Sequence, residues 1–200
     1  MSARADQMSM SPLVVRLHPI VDLSDDDFYQ LCQDNRDLRL ERSAKGDVLI
    51  MPPTGGETGR RSMRLAGQID RWAARDGTGV AFDSSTGFAL PTGAVRSPDA
   101  AWVLGARWEA LPAEARERFA PLAPDFVVEL RSASDRLPDL QAKMDEYRAA
   151  GVRLGWLIDP VDSRVYVYDP SGADRVLDRP TQLSGDPVLP GFMLDLEPIW

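Results

Sequence analysis

Residues 123–132 read APDFVVELRS, in which a proline-opened run from Phe126 to Leu130 is apolar except for Glu129. A run this short and this rich in Val and Phe is a strand continuous enough to be buried on both faces. Its sheet therefore needs other elements on each side. The run also sets one carboxylate, Glu129, where an unpaired charge is costly, so a cation or a metal has to meet it.

The flanking segments alternate between helical and strand patterns. Ser24 followed by three acids predicts a short helix over 25–34. LRLE (38–41) and DVLIM (47–51) flank SAKG as a hairpin, and PPTGGETG (52–59) breaks the pattern. Leu65, Ile69 and Trp72 predict a helix over about 59–75, closed by Asp76-Gly77, with Arg60, Arg64, Arg71 and Arg75 on its other side. VAFD (80–83), GFAL (87–90) and AAWVL (100–104) read as strands, and 110–122 as an irregular or short helical crossover. Leu137, Leu140, Met144 and Tyr147 form the stripe of a helix over 138–150, with Pro138 in its first turn and Gly151 at its stop. LGWLID and RVYVYD pair around PVDS as a second hairpin. This order predicts an α/β (α+β) domain, a mixed β-sheet flanked by helices. No repeat or linker divides the chain, so a single domain is expected over 12–200, after a disordered tail at 1–11.

Composition removes several classes of chemistry. One cysteine, Cys32, excludes an internal disulfide and a cysteine-built zinc site. The single His18, near the N-terminus, would have to carry any Ser-His-Asp or Cys-His scheme alone. No run of about 18 apolar residues is present to span a membrane, the start has no apolar signal region, and the cytoplasm is the expected address. The net charge of −8 argues against a nucleic-acid partner. Residues 36–75, however, hold nine basic residues against five acids, a local +4 that can meet phosphate or simply form a solvated face.

Phosphodiester cleavage needs a hard cation held against phosphate by carboxylate and carbonyl oxygen, with a protein cation close by. Two Pro-Asp pairs are available for the first acid. Asp125 lies about 13 Å along the strand from Glu129, too far to share an ion, so it reads as a strand-entry residue. Asp99 opens a different strand, AAWVL, and meets Glu129 if the two strands are neighbours. Arg131, two positions past Glu129, should share its face; it can clamp phosphate, but it cannot accept a proton. Lys143 is the other cation, at the edge of the helix stripe, in a chain whose only lysines are Lys45 and Lys143. The Gly-rich TGGETGRRS is a rival phosphate loop, but Gly55 and Gly59 enclose three residues and Arg60 follows, where the nucleotide-binding loop needs four and a lysine. A phosphate contact by Arg60, Arg61 or Arg64 stays open.

The runs GDVLIMPPTGGETGRRS, SPDAAWV, PDFVVELRSASD, KMDEYRAAGVRLGWLIDP and VLPGFMLDL, in that order from about Leu38 to Trp200, resemble the Uma family of restriction endonucleases. The resemblance implies the PD-(D/E)xK nuclease fold and a metal site from Asp99 and Glu129. It also implies a lysine displaced to the following helix, Lys143, and a further acid from Glu57 or Glu41. Arg131 stands where the general signature has lysine. The expectation is a Mg²⁺-dependent (or Mn²⁺-dependent) endonuclease acting on DNA, commonly as a homodimer. Asp99, Glu129, the Leu130 carbonyl and Glu57 would hold the metal, Lys143 would act on the water and Arg131 on phosphate charge. The alternative is a catalytically silent DNA-binding or regulatory protein of the same fold.

Overall fold

Strand alternation decides how the layers lie in the computed structural model, which describes residues 12–171 and 175–200; the tail expected at 1–11 lies outside them. The N-terminal half contains β1 (Leu13–Val15), α1 (Asp25–Asp34), β2 (Arg39–Arg42), β3 (Val48–Met51), α2 (Gly56–Asp76), β4 (Gly79–Asp83), β5 (Phe88–Ala89) and β6 (Val95–Arg96). Then follow β7 (Ala100–Leu104), α3 (Gly105–Glu109), α4 (Ala113–Arg116), β8 (Phe126–Leu130) and α5 (Leu137–Ala149). The chain ends with β9 (Leu154–Asp159), β10 (Arg164–Tyr168), β11 (Arg175–Asp178), β12 (Gln182–Ser184) and β13 (Met193–Asp195).

The larger sheet has the order β11-β10-β9-β8-β7-β4. Its pairs are antiparallel except β8 with β9, which α5 joins as a crossover. All five residues of β8 are buried. Phe126, Val128 and Leu130 pack with Trp102, Trp156 and the α2 residues Leu65, Ile69 and Trp72. Val127 points the other way, with Val103, Leu157 and the α5 residues Met144 and Tyr147. By the same alternation Glu129 faces α5. The sheet is thus covered on both sides, as the β8 sequence requires.

The second sheet, β1-β3-β2-β6-β5, is antiparallel and packs α1 through Phe28, Val48 and Val95. Ser24 caps α1 with a capping box closed by Asp27. The expected hairpins form in register, Leu40 opposite Ile50 and Tyr166 opposite Leu157. The chain passes from one sheet to the other through Ser97-Pro98-Asp99, between β6 and β7. Sequence patterning missed β1, β6 and β11 to β13, each of two to four residues.

Helix α2 begins at Gly56, three residues before the expected start, and ends on Gly77, whose left-handed φ of 71° suits glycine. Asp125 is buried, and its carboxylate accepts from the Leu104 amide and pairs with Arg107 and Arg153. It anchors the strand entry. Trp102 and Trp156 are core residues. Among the described residues no helix is long and apolar enough to cross a membrane.

Candidate active site

Four elements deliver charged side chains to the seam between the two sheets. Asp99 precedes β7, and Glu129 lies on β8 with Val128 registered opposite Ala100. Glu41 is on β2, next to Arg42, which pairs with Val95 of β6. Lys143 and Tyr147 are one turn apart on α5, on the face that covers β8.

Lys143 Nζ lies 2.8 Å from Glu129 Oε1 and 3.0 Å from Glu41 Oε1. The Tyr147 hydroxyl donates to the same Glu129 oxygen at 2.9 Å. Arg96 donates to Glu41 Oε2 at 3.1 Å and forks onto both oxygens of Glu146 at 2.7 and 3.0 Å. The Ser97 amide completes Glu41 at 3.2 Å, and the Leu130 amide donates to Asp99 Oδ2 at 2.8 Å. Arg39 reaches the Ser97 carbonyl at 3.2 Å and is close enough to act on the Asp99 charge.

The electrostatics follow from burial and crowding. Burial first, then the neighbouring Asp99 and Glu41 charges, push the Glu129 carboxyl up to about 7 against the attraction of Lys143. Asp99 is raised by burial too, with Glu41 adding to it and the Leu130 amide, Lys143 and Arg39 opposing. Glu41 moves the other way: burial would raise it, but Lys143 and Arg96 together hold it below the usual carboxylate range. Lys143 is raised, its burial outweighed by Glu129 and Glu41. Four carboxylates (Glu41, Asp99, Glu129 and Glu146) thus share the full cations Lys143 and Arg96, with Arg39 nearby. Asp99 and Glu129, the two that are raised, are the least compensated of the four.

Those two groups also have spare donor capacity. Asp99 Oδ1 and Glu129 Oε2 accept no hydrogen bond from the described residues, whereas both Glu41 oxygens are engaged. Among the described residues no three His, Cys, Asp or Glu side chains converge as a metal cage. Two carboxylates with a free oxygen each nevertheless fit Mg²⁺, which is commonly held by one or two carboxylates and keeps several waters.

Residues 25–197 match a family model whose description is "Putative restriction endonuclease", the Uma2 family. The chain belongs to the Uma2 family. A solved structure described as a "putative nuclease belonging to DUF820" from Anabaena variabilis superposes with a TM-score of 0.73 at 20% identity, covering 88% of this chain and 97% of that one. At that identity the likeness establishes the fold. No curated protein matches.

Within this Uma2-family chain the structure brings together Asp99, Glu129, Leu130 and Lys143, and it leaves Glu57 and Arg131 outside. Glu57 is exposed in the first turn of α2, where Arg60 holds both its oxygens at 2.5 and 3.0 Å and Arg61 lies 3.6 Å away. Of the two acids left open by the sequence, Glu41 is the one at the cluster, and there it orients Lys143. Arg131 follows the last residue of β8, and its guanidinium turns to Asp159 at 2.7 Å and Asp162 at 3.0 Å. Asp159 is fully buried at the end of β9 and also holds the Val161 and Asp162 amides, so Arg131 moors the β9–β10 turn. Arg60 and Arg64 are exposed on α2, while Arg61 is half-buried beside the core face. His18 is exposed, and its ring pairs with Asp22.

Arg96, Tyr147 and Glu146 went unrecognised in the sequence. The usable signal was position: Arg96 directly precedes Ser-Pro-Asp, and Glu146 and Tyr147 lie three and four residues past Lys143, on its helix face. Glu57→Gln and Glu41→Gln should therefore part company. The first is expected to melt with wild type. The second, which removes a buried charge shared by Lys143 and Arg96, should lose about 1–3 kcal/mol, read by calorimetry as a fall of several degrees. Equal melting temperatures would refute the assignment of Glu41 to the cluster.

Proposed function

We propose that the chain is a Mg²⁺-dependent, or Mn²⁺-dependent, endonuclease that hydrolyses DNA phosphodiester bonds. The observation that carries this reading is the free oxygen on each of Asp99 and Glu129 beside a buried lysine, in a chain of a family described as restriction endonucleases. Asp99, Glu129 and the Leu130 carbonyl would hold the metal. When bound, the ion supplies Lewis acidity at the phosphate and a more acidic water.

The chain's own residues supply positioning. Glu41 and Glu129 fix the Lys143 ammonium between them, so the amine is held where it can hydrogen-bond an attacking water and steady the charge that develops on phosphate. Tyr147 holds Glu129 in one rotamer through its hydroxyl. Arg96, itself buried, fixes Glu41 from the other side. Arg131, tied to Asp159 at the end of the neighbouring strand β9 and to Asp162 in the turn beyond it, has no part in the step. Cutting both strands of a duplex would take two such sites, hence a homodimer, in the cytoplasm where DNA is met.

The test is a supercoiled plasmid incubated with the full-length protein in Mg²⁺, in Mn²⁺ and in excess chelator. Nicking with either ion and none with chelator is expected. Lys143→Met should stop turnover while Mn²⁺ binding, followed calorimetrically, persists. Plasmid that stays intact in both ions, although the protein binds it, would favour the catalytically silent DNA-binding reading instead.

A further inference from the structure

Helix α2 carries an arginine stripe that the carboxylate cluster does not use. At 100° per residue, Arg60, Arg64, Arg71 and Arg75 fall within an arc of about 60° and extend for about 22 Å along the axis. All four are exposed, and the arc lies away from the buried residues Leu65 and Ile69, with buried Trp72 on its flank. Glu57 pairs with Arg60, and Arg60 and Arg64 both donate to the Pro198 carbonyl; Arg64, Arg71 and Arg75 make no ion pair among the described residues. In a chain of net charge −8, three positive charges without a carboxylate partner on one line are a local reversal of the protein's field.

A further feature lies on the same line. Beside the C-terminal half of the stripe is a cavity of about 280 Å³, lined by Arg71, Arg75 and Gln68 over a floor of Trp72, Phe192 and Met193. Gln68 fixes its far wall by exchanging two hydrogen bonds with the Asp195 backbone, at 2.8 and 3.0 Å.

We propose that this stripe docks the sugar–phosphate backbone of duplex DNA, with the recess at Arg71 and Arg75 as a phosphate seat. Its length matches about six base pairs of rise. The choice of DNA among polyanions rests on the nuclease reading above; the anion chemistry of the stripe does not. Because the stripe faces away from the sheet, and the carboxylates lie on the α5 side, it holds a stretch of duplex other than the one being cut. It is an accessory grip, and it favours long duplexes over short ones.

The test is fluorescence anisotropy with the full chain, chelator present, on 12- and 60-base-pair duplexes between 50 and 300 mM KCl. Each phosphate contact contributes about 0.9 to the slope of log affinity against log salt. The variant R60Q/R64Q/R71Q/R75Q should therefore lose about 3 to 4 from the slope and about a hundredfold in affinity for the long duplex, with its advantage over the short one abolished. A quadruple variant with wild-type slope and affinity overturns the proposal and leaves the nuclease reading standing. Wild type that binds no duplex at 50 mM KCl overturns both. Equal or tighter stripe-dependent binding to phosphatidylserine vesicles overturns the assignment to DNA.

Discussion

Asp99→Ala and Glu129→Ala, each folded, are expected to cut plasmid at least about a thousandfold more slowly than wild type in Mg²⁺. A metal at a phosphodiester supplies several kcal/mol of transition-state stabilisation, and each 1.4 kcal/mol is about tenfold in rate. With two carboxylates as the charged donors of the proposed metal site, losing either would leave it too weak to hold a hard cation. Both variants relieve the crowding of carboxylates that raises Glu129 toward 7, so neither should unfold the protein. Calorimetric titration with Mn²⁺ should show affinity falling together with rate. Cleavage by either variant at the wild-type rate would remove the metal assignment outright.

Arg96→Ala should have the largest effect on stability. The Arg96 side chain is 7% exposed and stands between Glu41, at 1%, and Glu146, at 16%. Its loss leaves two carboxylates facing each other with their shared fork removed, and breaking a buried pair this way costs about 3–5 kcal/mol. For a domain of this size that is a fall of about 10 °C or more in melting temperature. Arg96→Lys should recover only part of it, because an ammonium is a point charge that cannot fork onto Glu146 and still reach Glu41. A melting temperature within about 2 °C of wild type for Arg96→Ala would mean that solvent takes over the role of the guanidinium.

Much of this arrangement was readable where a pattern is long enough to have a period. The run FVVEL announced a doubly covered strand. The stripe of Leu140, Met144 and Tyr147 placed α5 against it, which sets Lys143 beside Glu129. Rejection of Asp125 by strand rise also agrees with its place as an anchor for Arg107 and Arg153. The errors came from carrying a period past the end of its element. Arg131 shares the Glu129 face only if β8 continues, and β8 stops at Leu130. Once outside, the guanidinium went to buried Asp159, a carboxylate nearly thirty residues downstream that no local pattern points to. Glu57 was misplaced for the converse reason. With α2 starting at Gly56, Arg60 and Arg61 stand one turn away, and local ion pairs take the carboxylate. Arg96 sits on a two-residue strand, too brief for any alternation to register.

The seam between the sheets also governs when the cluster comes into being. Glu41, Arg96, Asp99, Glu129 and Lys143 are drawn from a span of more than a hundred residues, and no two neighbouring elements contain the set. Such long-range closure comes late in folding, after loop entropy has been overcome. A chain emerging from the ribosome holds Glu41 and Asp99 well before Lys143 is made, and the lysine is held in place only when α5 docks on β8. A half-made or half-folded copy therefore has acids without their cation, and any chemistry belonging to this cluster waits on completion of the whole fold.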